Sequence, residues 1–203
     1  VALGIPVLIL VTSPRIALAV TLPILLIIDI WVVFFSNNKI NYKLLVIMLI
    51  FGLLGHGLGW YFFDYISNAT LVTFIGGMSV LTAFLYFKKR FLPVKIGLDA
   101  MAPLQHRPIA LWSWGGFWCT LSGIASFISV SGGIPLQIFL LSWKVPRSVF
   151  IGPAGAFFFI LNLTKVPLYW ELDILSKSSI IISLLLLPAI PIGVVLGLSL
   201  IHI

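Results

Sequence analysis

The chain has 203 residues, 61% of them hydrophobic and only 8% charged, with a formal net charge of +7; its mean hydropathy is +1.22. Soluble domains carry about 25% charged residues, and a chain of this length cannot hide so much apolar surface from water, so an all-α polytopic membrane protein is expected. The basic residues sit in short gaps between apolar runs, as orientation signals do, which excludes a nucleic-acid footprint. Cys119 stands alone inside an apolar run, which excludes a disulfide framework or a cysteine-based metal site.

Val1 to Thr12 is too short to cross a bilayer, which takes about 20 helical residues, and reads as the second half of a helix. Ile16 to Phe35 can span, interrupted by Pro23 and Asp29. The polar linker Ser36 to Lys43 follows. Leu44 to Phe63 spans, and its Gly52, Gly55, Gly57 and Gly59 form a small-residue face for close packing. After the short turn Asp64–Asn68, Ala69 to Phe87 spans again. The extended linker from Lys88 to Arg107 holds five bases and separates a first repeat (1–87) from a second (108–203).

Pro108 to Trp143 carries no charge and exceeds one ordinary span. Ser131-Gly132-Gly133-Ile134-Pro135 interrupts it, and we expect one crossing made by a broken helix. Arg147 to Pro167 and Ser178 to Ile201 complete the spans. The positive-inside rule places Lys39, Lys43 and the 88–107 linker in the cytoplasm and Asp64–Asn68 outside. Lys144 and Arg147 then fall outside, against the rule. The sequence starts at Val1, without a signal peptide, and stops within an apolar run; a chain trimmed at both ends is expected.

An internal repeat is visible in the residues. Gly4-Ile5-Pro6 matches Gly133-Ile134-Pro135, Pro14-Arg15 matches Pro146-Arg147, Pro23 lies near where Pro153 falls, and Asp29 lands close to Asn162. Counting four crossings per half makes the halves parallel. Broken helices in a membrane are tolerated where they are buried in protein or line a wet cavity, and transporters aim such half-helix N-termini at bound anions. The candidate substrate-binding residues are therefore Gly4 and Pro6 at the first break and Ser131, Gly132, Gly133 and Pro135 at the second, with Gln137 adding an amide.

Lys165 is the sharpest single residue, because an ammonium at a helix centre in the membrane costs about 3 kcal/mol on insertion scales. Asn162 lies on the same helical face, and the two can bind an oxyanion together; the other reading is a lysine that snorkels to the interface. Asp29 is a candidate proton carrier, or else the partner of a base on another helix or a residue exposed near the cytoplasmic end. His56 reads as a hydrogen-bonded structural histidine rather than a titrating one. Trp112, Trp114, Trp118, Trp143, Tyr169 and Trp170 read as interface anchors. No G-x-S-x-G elbow and no cluster of zinc ligands is present, so neither an enzyme nor a cofactor or metal site is expected.

Ser131-Gly132-Gly133-Ile134-Pro135, together with Phe157-Phe158-Phe159, Asn162-Leu163, Lys165, Pro167 and Tyr169, resembles the second repeat of the TauE/SafE sulfite exporter family. The Pro14–Phe35 run, the glycine-rich Leu44–Phe63 span and the helix ending at Lys88-Lys89-Arg90 are similar to its first. The resemblance covers essentially the whole chain. It implies a multi-pass exporter of the bacterial inner membrane, acting on sulfite, sulfonates or related sulfur-containing and organic anions. With Asp29 as carrier, export is expected to be proton-coupled, with a small anion and the bilayer as its partners; the alternatives are an anion channel and, behind it, an intramembrane enzyme.

Overall fold

The computed structural model of the chain describes residues 4–35, 42–91, 108–141 and 147–188. Among these it forms α-helices and no strands: α1 (Gly4–Ile9), α2 (Pro14–Phe35), α3 (Tyr42–Phe63), α4 (Asn68–Phe91), α5 (Pro108–Ser129), α6 (Gly133–Leu141), α7 (Arg147–Glu171) and α8 (Lys177–Leu186). Pro14–Phe34 and Tyr42–Phe63 are each long and apolar enough to cross a membrane. Helices α4, α5 and α7, of 24, 22 and 25 residues, are at least about 33 Å long at 1.5 Å per residue. The expected linker begins later than its charges suggest, because α4 continues through Lys88-Lys89-Arg90 to Phe91. Residues 92–107, Lys144 and the last part of the expected 178–201 span lie outside the described residues.

Helices α3, α5 and α7 run in the same direction and form the centre. Phe51 packs on Gly116, Gly55 on Thr120 and Gly59 on Phe127, so numbers rise together along α3 and α5. On α7, Gly52 meets Phe157, His56 meets Thr164 and Phe63 meets Tyr169, again in rising order. Gly57 is the exception in the expected small-residue face: it points outward, with no neighbouring atom within 4 Å of a Cβ placed there. Helix α2 runs the other way, since Asp29 meets Asn162 while Val32 meets Gly155.

Helix α6 folds back along α5. Gly132 lies against Ser122 and Ser126, and Phe139 lies against Gly115. The stretch Pro108–Leu141 is therefore a helical hairpin, not one broken crossing; Trp143 lies outside the described residues. Val130 turns the chain, with φ of 56°, a conformation rare for a β-branched residue. The Ser131 N–H reaches back to the Ala125 carbonyl at 3.2 Å, and the Ser122 hydroxyl donates to the Gly132 carbonyl at 2.6 Å. A Cβ at Gly132 would collide with the Ser122 carbonyl and the Ser126 side chain. Pro135 sits in the first turn of α6, where a missing N–H leaves no hydrogen bond unmade.

This reversal changes the expected orientation. With α6 returning and α7 parallel to α5, Arg147 at the start of α7 lies on the same side as Lys43 at the start of α3. Asp64 follows the opposite end of α3, and Glu171 and Asp173 lie at and just past that of α7. Arg147, which broke the positive-inside rule, now obeys it. Arg147→Cys and Lys43→Cys should react with an impermeant maleimide from one side of a membrane vesicle, and Asp64→Cys from the other. Labelling of Arg147→Cys with Asp64→Cys would contradict the hairpin.

The helices that the internal match pairs, α2 and α7, run antiparallel, and α6 returns on α5 where counting took a single crossing. The turn after α7 closes on Asp173, at φ 52°, with the Ile174 N–H bonded to the Tyr169 carbonyl at 3.0 Å as in a Schellman stop. A capping box of Ser176 and Ser179 starts α8, and the single Ser183 hydroxyl proton is shared between the Ser179 carbonyl at 2.7 Å and the Val20 carbonyl of α2 at 2.8 Å, where α8 meets α2.

Candidate functional site

Deep in the bundle, α2, α5 and α7 supply a chain of polar groups. Lys165 is 0% exposed, Asn162 3% and Asp29 9%. The Lys165 ammonium donates to Asn162 Oδ1 at 2.9 Å and to Ser126 Oγ at 3.0 Å. Asn162 Nδ2 donates to Asp29 Oδ2 at 2.6 Å. The amide thus turns its acceptor to a group that can only donate and its donor to a group that, ionised, can only accept. Its dipole lies along the line from cation to anion, so the bridge favours charge on both ends.

Burial of this kind excludes snorkelling for Lys165. A single buried charge would cost several kcal/mol, and here the opposite charge of Asp29 sits one amide away. The pairing of Asp29 with a base on another helix, one of the sequence expectations, therefore holds through Asn162, and exposure near the cytoplasmic end does not. The ammonium has three donors; two have partners, and the third meets no acceptor among the described residues. Ser126 accepts from Lys165, and its own proton reaches no acceptor there either.

The second break adjoins this network. Gly132 packs against Ser126, so the first turn of α6, with the N–H groups of Gly133 and Ile134, lies one residue from the serine that holds Lys165. Open space surrounds the Cβ position of Gly133. Pro135 is buried, and the Ser131 hydroxyl donates to the Ser129 carbonyl at 3.2 Å. Gln137 is exposed on α6 and does not join the cluster. Gly4 and Pro6 lie in α1, whose main neighbours are α2 and α4 while that of α6 is α5; no hydrogen bond of the network comes from α1.

Two further residues define the surroundings. His56, 1% exposed, is 3.3 Å through Nδ1 from Thr164 Oγ1. That hydroxyl spends its one proton on the Leu161 carbonyl at 2.8 Å, so Nδ1 must be the donor. Nε2 has no partner among the described residues, and the ring lies edge-on to Phe127; this is a neutral, structural imidazole. Tyr169 is a correction: it is fully buried, and its hydroxyl donates to the Phe127 carbonyl at 2.6 Å instead of anchoring at an interface. Ser122 and Ser126 were missed by sequence reasoning. Their one signal was spacing, since residues four apart on α5 share a face.

An apolar groove of about 920 Å³ between α3 and α5, lined by Phe51, Leu54, Leu58, Phe117 and Leu121 among others, shares no residue with this network. Among the described residues no group of three or more metal-ligating side chains comes together.

An all-helical membrane bundle with a hairpin turned against a buried ammonium, an amide and a carboxylate has the build of a transport protein. The family comparison makes this specific: residues 2–203 match the family of the sulfite exporter TauE/SafE, and the chain belongs to it. It is thus a multi-pass membrane protein of a transporter family, not an enzyme family. Neither the curated proteins nor the solved structures give a match.

Proposed function

We propose that this protein exports a small sulfur-containing or organic anion, such as sulfite or a sulfonate, across the bacterial inner membrane in a proton-coupled cycle. The observation that carries this reading is Lys165. A fully buried ammonium, held by Asn162 and Ser126 with one donor to spare, stands beside the open first turn of a half-helix. An oxyanion there would accept from Lys165, from the Ser126 hydroxyl and from the N–H groups of Gly133 and Ile134, gaining several charge-assisted hydrogen bonds and the positive end of the α6 dipole. Asp29, across Asn162, is the group placed to take up a proton.

Proteoliposomes loaded with unlabelled sulfite should accumulate labelled sulfite transiently by counterflow, with saturable rates, and the same assay run with sulfonates, thiosulfate and carboxylates ranks the substrates. Conductive flux that rises linearly with concentration, without counterflow, would replace the carrier with a channel. Absence of any anion flux would reject the export reading.

A further inference from the structure

Resting on the export reading, we infer that the site takes a monovalent anion, and that the anion and one proton, the latter on Asp29, cross together as an electrically neutral load. The argument is a count of charges. Among the described residues, the interior of the bundle holds one acidic and one basic side chain that form an opposed pair, Asp29 on α2 and Lys165 on α7; the buried Tyr169 of α7 keeps its proton, which it donates to the Phe127 carbonyl. From α3, the group that faces them is His56, which is neutral because its Nε2 has no acceptor for a second proton among the described residues. From α5 come Ser126 and Ser122, which do not titrate, while the thiol of Cys119 lies in the apolar cluster with Met48 and Phe157 and makes no hydrogen bond to the pair. Arg15 belongs to the outer end, with its guanidinium on the Ile66 carbonyl and over the Phe63 ring.

The empty site is therefore neutral when Asp29 and Lys165 are both ionised. A monovalent anion placed on Lys165 adds one negative charge to a region that tolerates none without a partner. Protonation of Asp29 removes it: the proton from water adds to the carboxylate, the Asp29 charge vanishes, and Lys165 is left to the anion. A divalent guest would still leave one charge uncompensated after that proton is taken. The coupling is reciprocal: an anion on Lys165 favours the proton on Asp29, and the proton strengthens anion binding. Two ligands that promote each other's binding move in the same direction, whereas an exchanger needs them to compete. Export then runs on the outward gradient of the substrate itself, with the proton as its neutralising companion.

The test uses purified full-length protein in vesicles containing a trapped pH dye, with methanesulfonate and thiosulfate as probes. Methanesulfonate stays monovalent and thiosulfate divalent at neutral pH. Methanesulfonate entry should acidify the lumen by one proton per anion, and its initial rate should be unchanged by a potassium–valinomycin potential. Thiosulfate should enter about tenfold more slowly or worse, as discrimination by one unpaired charge requires. Asp29→Asn should abolish the lumenal acidification and make any remaining methanesulfonate flux voltage-dependent. Should that variant fail to fold, methanesulfonate binding to the wild type in weakly buffered detergent should still take up one proton per anion.

Lumenal alkalinisation, methanesulfonate flux that carries net charge in the wild type, thiosulfate entry equal to methanesulfonate entry, or sulfite counterflow with methanesulfonate rejected would each overturn the inference while leaving export intact. Loss of counterflow for every anion would instead remove the export reading, and this inference with it.

Discussion

Lys165→Met should abolish anion flux and destabilise the folded protein by roughly 3–5 kcal/mol, the usual effect of removing one partner from a buried ion pair. The double variant Lys165→Met with Asp29→Asn should regain most of that stability and none of the flux. Removing the ammonium alone leaves Asp29 charged at 9% exposure and leaves Asn162 Oδ1 and Ser126 Oγ without their donor. The second substitution removes the uncompensated charge, because a neutral amide at position 29 can face the Asn162 amide, but it supplies no cation for a substrate. Thermal unfolding in detergent measures the first quantity and proteoliposome counterflow the second. A double variant no more stable than Lys165→Met would mean that Asp29 and Lys165 do not balance each other. Flux in either variant would remove Lys165 from the transport site.

The separation of stability from transport in that pair reflects how the site was legible in the sequence. Lys165 was conspicuous because charge inside an apolar run is costly, and Asn162 because it lies three residues before it on one helical face. The meeting of Asp29 with Asn162 was latent in the repeat, which placed the two at matching positions. The structure makes them direct partners because α2 and α7 pack against each other in opposite directions. Ser126 and Ser122 were silent. A serine in an apolar helix usually bonds a carbonyl of its own preceding turn, as Ser129 does with Ala125, so its presence alone says nothing about a tertiary partner.

The hairpin was half legible. Gly132-Gly133-Ile134-Pro135 marks an interruption, but the angle across it depends on the single left-handed residue Val130 and on tertiary anchors such as the Ser122 hydroxyl on the Gly132 carbonyl. No local propensity reports either one. The misfit of Arg147 with the positive-inside rule was the one trace of the reversal that charge distribution offered, and a charge pattern can show that a topology is wrong without showing where it turns.

Gly55→Val should remove most of the folded protein, while Gly57→Ala, two residues along the same helix, should leave stability and transport near wild type. The contrast follows from where the two α-carbons point. A Cβ at Gly55 would fall on the Thr120 carbonyl and within 3.0 Å of the Ile124 nitrogen, whereas at Gly57 it meets nothing within 4 Å. Gly123 repeats the contact from the other side, because its Cβ would fall on the Gly52 carbonyl. The obstacle in each case is backbone, which has no rotamer to yield, so the penalty should reach or exceed the upper end of the roughly 1–3 kcal/mol usual for overpacking. Helices in lipid gain little from hiding apolar surface from one another and depend on such close approach instead. The effect should extend to the polar network: pushing α5 away from α3 moves Ser126 relative to Lys165, since α7 packs against α3 through Gly52 and Phe157. Size-exclusion profiles and thermal unfolding of both variants decide the matter. A monodisperse Gly55→Val protein with wild-type counterflow would show that the transport site does not depend on the α3–α5 contact.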